Sequence, residues 1–345
     1  MTSAPESTRT VRNNRELRPA VVVRGLGTCL PATELDNEEL ARHLDTSDEW
    51  IRTRTGISAR RRIAPGGSVR DLAVAAGGNA LRSAGRTTAD ALVLATTTPD
   101  RPTPAAAPEV AHRLGLGTVP AFDVSAVCSG FVYALATATG LIAAGVADSV
   151  LVVAAEAYSR IVDPADRATA VLFGDGAGAV LLSRGTPEED GALLAFDLGG
   201  DGSGKDLIHV PGPLEQPAGE RWFTMSGRKV YLRAVEEMTG SALKVMKDCA
   251  WSPGSVDALV PHQANARIIQ AVADRIGVPQ EAALSELVRV GNTAAASIPL
   301  ALASAQAGGR LRPGARTVLT AFGGGLSWGS AALVWPRLTP ASTEI

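Results

Sequence analysis

The chain is written twice. "TADALVLATTTPD" (Thr88–Asp100) and "SVDALVPHQAN" (Ser255–Asn265) share Asp-Ala-Leu-Val, with Asp90 and Asp257 standing 167 positions apart. The same step carries Val150 of "DSVLVVAAE" onto Thr317 of "ARTVLTAFGGG", and Cys128 onto Ala295 of "GNTAAASIPLALASAQAGG". "AVVVRGLG" and "GALLAFDLGG" correspond with a slightly different offset, and the register breaks after Glu156, where the first copy carries "AYSRIVDPADRATAVLFGD". Several matches in one register point to a duplicated domain. Whatever one half forms, the other must form again.

Each half reads strand, helix, strand, helix, strand. "ALVLATT", "SVLVVAA", "GAVLLS", "TVLTAF" and "AALVW" are β-branched apolar runs with little alternation, as strands covered on both faces require. Ala-rich helical stretches such as "VRDLAVAAGGNALRSAG" and "NARIIQAVADRIG" lie between them. The expected fold class is therefore α/β, with mixed sheets and helices on their faces. The halves are expected over 20–185 and 186–336, between a polar flexible tail at 1–19 and a second tail at 337–345. Loops at the carboxyl ends of strands, where such folds place chemistry, should converge from both halves.

At 345 residues, 46% of them hydrophobic, the chain can bury the core that two packed halves need. A net charge of -2 leaves no basic excess to hold phosphates, which argues against nucleic-acid binding. Cys29, Cys128 and Cys249 are far apart and form no CxxC pair, so neither a zinc knuckle nor a disulfide framework is indicated. The polar start "MTSAPESTRTVRNNRELRP" does not read as a signal peptide, and no apolar run is long enough for a membrane span. A reducing cytoplasm is the expected compartment, with no metal.

Three residues sit at strand-end junctions. Cys128 follows the strand-like "PAFDVSA" and precedes a helix, whose N-terminal dipole favours thiolate. His262 follows the strand "DALV", and Asn292 opens the helix after "VG". Taken singly, each has a plain structural reading: a free cysteine is often a small buried residue, a strand-end histidine a hydrogen-bonding one, and an asparagine before a helix an N-cap.

Their flanks carry more. "SDEWIRTRTGI", "AVCSGF", "DRATAVLFGDGAGAVLL", "PHQANARII", "GNTAAASIPLAL" and "FGGGLSWGSAAL" together resemble β-ketoacyl-acyl-carrier-protein synthase III, the initiating condensing enzyme, from about Ala20 to Pro336 and in the family's order. The resemblance implies a thiolase-like fold, two five-stranded mixed sheets in an α-β-α-β-α stack. It implies a Cys–His–Asn catalytic set at Cys128, His262 and Asn292, and an oxyanion hole from the backbone N–H groups of Cys128 and Gly324. Chemically, an acyl-CoA would acylate the Cys128 thiolate. Malonyl-acyl-carrier protein would then lose carbon dioxide, and a neutral histidine and an asparagine amide would stabilise the enolate. By the same resemblance Trp50 and Arg54 hold the CoA nucleotide, Arg167 stacks across the adenine, and Asn265 with Met225, Ser226 and Gly227 lines the pantetheine channel. Arg267 and Arg275 are implied to meet the acidic carrier protein. Phe173, Gly174 and Gly176 read as structural, Phe173 also shaping the acyl pocket. A homodimer is implied, with CoA thioester as substrate and no tightly bound cofactor.

Three positions depart from the family pattern. Val127 precedes the nucleophile where a small residue is usual. Thr103 stands where acetyl-primed relatives carry a bulky Phe donated across the dimer, leaving room for longer or branched primers. Leu232 replaces a carrier-facing Lys. These features fit fatty-acid initiation or the priming of a polyketide pathway. "FGGGLSWG" lacks the second cysteine of a degradative thiolase. Transfer of an acyl group to an alcohol or amine without condensation is the alternative within the superfamily. A Cys–His thioester hydrolase is the alternative from another class, though it leaves the duplication unexplained.

Overall fold

A computed structural model of the chain describes residues 20–345; the expected tail at 1–19 lies outside the described residues. The first half supplies β1 (Ala20–Leu30), β2 (Ala91–Ala95), β3 (Ala121–Val124), β4 (Ser149–Ala157) and β5 (Asp175–Gly185). The second supplies β6 (Leu193–Gly200), β7 (Ala258–Pro261), β8 (Arg316–Gly323) and β9 (Ser327–Val334), followed by β10 (Ala341–Glu344). One sheet runs β10-β1-β5-β4-β2-β3 and the other β7-β8-β9-β6. The order β1-β5-β4-β2 therefore recurs as β6-β9-β8-β7.

The repeat survives at the level of hydrogen bonds. Ala91 pairs with Val150 in parallel, and Ala258 with Thr317, both steps of the same 167. The Asp90 carboxylate accepts from the Ser149 N–H at 2.8 Å, and the Asp257 carboxylate from the Arg316 N–H at 2.8 Å. The repeated aspartate thus ties the start of one parallel strand to the start of the next, a role that needs an acceptor at that position and no other chemistry. β1 shifts register against β5 between Val23 and Gly25, and β6 shifts against β9 at the equivalent place.

The sheets hold six and four strands, where five in each were expected. In the second half the counterpart of β3 shrinks to a single bridge, Leu259 with Ala283. In the first half the extra strand is β10, so residues 337–345 are not a tail. Gly27–Leu30 pair with Ala341–Glu344 in parallel, and Asn79 Nδ2 donates to Thr343 Oγ1 at 3.0 Å. The exposed edge of β1 offers unpaired backbone groups, and a short polar segment satisfies them as well as an apolar one.

The helices are α1 (Asp48–Thr55), α2 (Val69–Ser83), α3 (Gly130–Ala143), α4 (Gly227–Asp248), α5 (Ala266–Ile276) and α6 (Ser297–Ala307), with shorter turns between. α2 covers the outer face of the first sheet and α4 that of the second, while α3 and α6 lie between the sheets. α6 is mostly apolar, with Ile298, Leu300, Ala301, Leu302 and Ala305 all buried, as a helix enclosed on most sides requires. Phe131, Leu135 and Ile142 of α3 join them in one core with Val152, Leu319 and Leu333. Each such side chain contributes about 1.5–3 kcal/mol of burial. The middle helices therefore start at fixed points between the sheets, and a tight turn precedes each start.

Candidate active site

Val127–Ser129 and Ala294–Ala296 each form one tight turn ahead of α3 and α6. The two turns are related by the step of 167, and their first residues share an unusual backbone: φ is +48° at Val127 and +46° at Ala294. A β-branched residue in that region is strained, and the surrounding packing holds it there. Cys128 follows directly, buried among Tyr158, Phe173 and Phe322. Tyr158 stacks on Phe173 at 4.7 Å between ring centroids, and Phe223 meets Phe173 edge-on at 4.9 Å.

The thiol does not behave as a helix N-terminus alone would make it. Burial pushes the Cys128 pKa well above the usual thiol range, and the Glu156 charge adds to the rise. Burial therefore works against the thiolate expected from sequence. Glu156 is itself fully buried and accepts from Thr97 N–H at 3.1 Å and Thr98 Oγ1 at 2.6 Å. Burial pushes its carboxyl up to about 7 despite these bonds.

Backbone from the second half closes over the nucleophile. A Cβ on Gly323 would lie 2.7 Å from the Cys128 nitrogen and 3.2 Å from that of Ser129, so only glycine fits against this amide. Gly324, expected as the second oxyanion donor, has Ile208 beside it; a Cβ there would lie 2.9 Å from the Ile208 carbonyl oxygen. Gly323 was not singled out from sequence. The step of 167 offered a signal, because it places Gly323 opposite Glu156.

His262 directly follows β7. Its N–H donates to the Thr320 carbonyl at 2.8 Å, and its Nδ1 lies 2.7 Å from Ser297 Oγ. Burial pushes the imidazole pKa down to about 3, against the opposing effect of the Ala294 backbone, so the ring is neutral. Asn292 is fixed on both sides. Its N–H donates to the Leu172 carbonyl at 2.8 Å, and its carbonyl accepts from the Gly174 N–H at 3.0 Å. Its side-chain Oδ1 accepts from the Ala294 N–H at 2.9 Å. An N–H can only be met by oxygen, so the amide orientation follows and Nδ2 keeps its donors for another partner.

Gly174 and Gly291 permit this crossing. Gly291 has φ +68°, and a Cβ there would lie 2.9 Å from the Leu172 carbonyl oxygen. Gly176 packs between Leu30 and Leu300. Arg60, which sequence reading missed, is fully buried and donates to Val171 O at 2.9 Å and Asn37 Oδ1 at 2.8 Å. It anchors the segment leading to Phe173; burial lowers its pKa to about 10 and leaves it charged.

A cavity of about 350 Å³ reaches Asn292 and Phe173 and is lined among others by Trp50, Arg54, Met225, Gly227, Asn265 and Arg267, while Cys128 and His262 lie behind its walls rather than in its lining. Six residues expected around CoA or the carrier protein thus share one wall system with Phe173 and Asn292. Arg167 stacks directly on Trp50, 4.9 Å from the ring centroid, and Arg54 lies at 5.8 Å. A base lying between Arg167 and Trp50 requires them to separate by one ring thickness. Asn265 caps α5, accepting from the Arg267 N–H at 2.8 Å, and donates to the Arg54 carbonyl at 3.1 Å. Arg267 donates to the Thr53 carbonyl at 2.9 Å. Both therefore bind α5 to α1 as well as facing the cavity. Arg275 is exposed on α5, Leu232 is exposed on α4, and Thr103 lies in the exposed run 101–105, lining no part of this cavity. Among the described residues no helix is long and apolar enough to cross a membrane, and no metal-ligand cluster occurs.

Residues 122–202 match the family model described as 3-oxoacyl-[acyl-carrier-protein] synthase III, and residues 246–335 match the model of its C-terminal part. β-Ketoacyl-[acyl-carrier-protein] synthase III 5 of Streptomyces coelicolor is 56% identical over 93% of this chain and 98% of its own. The crystal structure of 3-oxoacyl-(acyl carrier protein) synthase III from Pseudomonas aeruginosa superposes with a TM-score of 0.90 at 51% identity, covering 93% of this chain and all of that one. A priming β-ketosynthase from a polyketide biosynthetic pathway superposes at 0.87 with 35% identity, covering 92% of this chain and 97% of its own. On these matches and on its doubled thiolase-like architecture, the chain belongs to the β-ketoacyl-[acyl-carrier-protein] synthase III family.

Proposed function

We propose that this chain is a ketosynthase-type acyltransferase that condenses an acyl-CoA primer with malonyl-acyl-carrier protein, opening fatty-acid or polyketide synthesis. Cys128 attacks the thioester carbonyl as its sulfur gives up its proton, the thiolate being the nucleophile. Its proton leaves with the departing thiol, so acyl-CoA and Cys128 become acyl-Cys128 and CoA with no net proton change. The Cys128 N–H, with a second amide from the Gly323–Gly324 stretch, holds the oxyanion. Malonyl-carrier protein then releases carbon dioxide. Its enolate carbon attacks acyl-Cys128, and the expelled sulfur takes up one proton. Trp50, Arg54, Arg167, Met225, Gly227 and Asn265 guide the CoA arm, while Arg267 and Arg275 face the carrier protein. The reading includes work in a reducing cytoplasm as a homodimer, Thr103 of one copy bounding the acyl pocket of the other.

One observation carries this reading. The buried Asn292 has its Oδ1 taken by the Ala294 N–H and so turns Nδ2 toward the site, and the buried His262 ring is set beside it by Ser297 at Nδ1 and by the Ala294 backbone. A thioester hydrolase needs a base at that place, and burial disfavours the charged imidazole that such a base becomes. The test is mass spectrometry of intact protein after incubation with acyl-CoA, followed by malonyl-carrier protein. Cys128→Ala should take up no acyl mass, whereas Asn292→Asp should become acylated and fail to discharge. Wild-type condensation by either variant would falsify the mechanism.

A further inference from the structure

We infer that Ser297 is a positioning residue that holds His262 in the tautomer with its proton on Nε2, committing the ring to donate rather than accept at the reacting oxygen. This inference rests on the reading of His262 as an enolate donor and assigns the group that makes it one.

The hydrogen-bond inventory leaves one arrangement. Ser297 Oγ lies 2.7 Å from His262 Nδ1 and 3.2 Å from the Gln263 backbone nitrogen. The Gln263 N–H can only donate, so it takes up a lone pair on Oγ. Were Nδ1 to donate into the second lone pair, the hydroxyl proton would find no other acceptor among the described residues in this buried place; turned toward Nδ1 it is satisfied. A ring nitrogen that accepts carries no proton, and a neutral imidazole holds its single proton on the opposite nitrogen. Gln263 cannot swing away to change this. It is fully buried, its Oε1 accepts from the Glu286 N–H at 3.1 Å, and its Nε2 donates back to the Pro261 carbonyl. Burial also keeps the ring neutral.

The duplication supplies a control inside the same molecule. One step of 167 earlier, His262 becomes Ala95 and Ser297 becomes Gly130. A Cβ on Gly130 would lie 3.2 Å from the Ala95 Cβ, so the two positions adjoin in the first half as they do in the second. There the fold closes with a glycine and an alanine. Packing between strand end and helix start therefore demands neither hydroxyl nor imidazole, and the polar pair appears only in the half that carries the donor.

Nitrogen-15 NMR of histidine-labelled protein reads the tautomer directly. The chain has 4 histidines, and His262→Ala identifies the signal of interest. Wild type should show Nδ1 unprotonated and Nε2 protonated. Ser297→Ala should release that preference into a tautomer mixture, and Ser297→Thr, which keeps the hydroxyl, should retain it. In parallel, Ser297→Ala should lower kcat for condensation by about 10- to 100-fold, as loss of a histidine's orienting partner does elsewhere. Cys128 acylation and the KM for acyl-CoA should hold, and Ser297→Thr should recover most of the rate. A wild-type signal protonated on Nδ1 overturns the inference, as does a Ser297→Ala protein that condenses at the wild-type rate. The wild-type spectrum decides the tautomer even if the alanine variant folds poorly. Failure of the parent reading looks different: Cys128→Ala would still condense while the tautomer stayed as stated.

Discussion

At Gly323 the space a methyl group would fill lies against the Cys128 amide, with 2.7 Å to its nitrogen. Gly323→Ala should therefore displace the amide that receives the oxyanion, and both half-reactions should slow. Loss of one such donor costs about 10²- to 10³-fold. Rapid-quench measurement of acylation and of condensation separates this variant from Asn292→Asp, which should impair condensation alone. Unimpaired acylation in Gly323→Ala would sink the assignment. The buried ionisable pair makes a second statement at this scale. Glu156 has its folded pKa raised from 4.5 to about 7, so the folded chain keeps a proton that the unfolded chain has released. Its contribution to stability is complete below pH 4.5 and is lost as pH rises through 7. His262, lowered from 6.5 to about 3, runs the other way: its contribution is present above pH 6.5 and lost as pH falls through 3. The two oppose each other between pH 4.5 and 6.5. Glu156→Gln should remove the falling branch, so that Tm climbs more steeply with pH across that window than in wild type. Scanning calorimetry at stepped pH checks it, and superimposable curves would refute it.

At the scale of elements, the helices were the most legible. "VRDLAVAAGGNALRSAG" becomes α2 over Val69–Ser83, with Ser68 capping through the Asp71 N–H. "NARIIQAVADRIG" becomes α5, begun by Asn265 and ended by Gly277 at φ +83°. Caps and apolar spacing are local properties, so the chain declares them without its neighbours. β10 was illegible for the converse reason. "ASTE" carries no apolar run, and what makes it a strand is the open edge of β1, more than 300 residues away along the chain. The loss of the fifth strand in the second sheet was equally hidden, because only the contact of Leu259 with Ala283 shows where pairing stops. The two turns at Val127 and Ala294 stand between these cases. Their correspondence was in the spacing, whereas their shared left-handed backbone was not, since valine and alanine rarely adopt it.

For the whole molecule, duplication sets the site's geometry. Two copies of one unit bring the starts of α3 and α6 together between the sheets, so the turn that carries Cys128 packs on the turn at Ala294, whose backbone meets both Asn292 and His262, in a core that neither half could build. The first sheet ends on β3 (Ala121–Val124), a strand with one open edge and only partly buried side chains. Open edges are commonly covered by pairing, which agrees with the proposed homodimer. Sedimentation equilibrium should return twice the 35.4 kDa chain mass; a single-chain mass at assay concentration would rule the dimer out. The sequence by itself determined the doubled α/β architecture and the family, and pointed to Cys128, His262 and Asn292, because repeat spacing and flanking motifs are written along the chain. Only the tertiary structure decided that burial disfavours the charged forms of the thiol and the imidazole, that Ser297 lies against the ring, and that Gly323 faces the Cys128 amide. Those properties come from desolvation and from contacts between residues far apart in sequence, and neither exists until the two halves close.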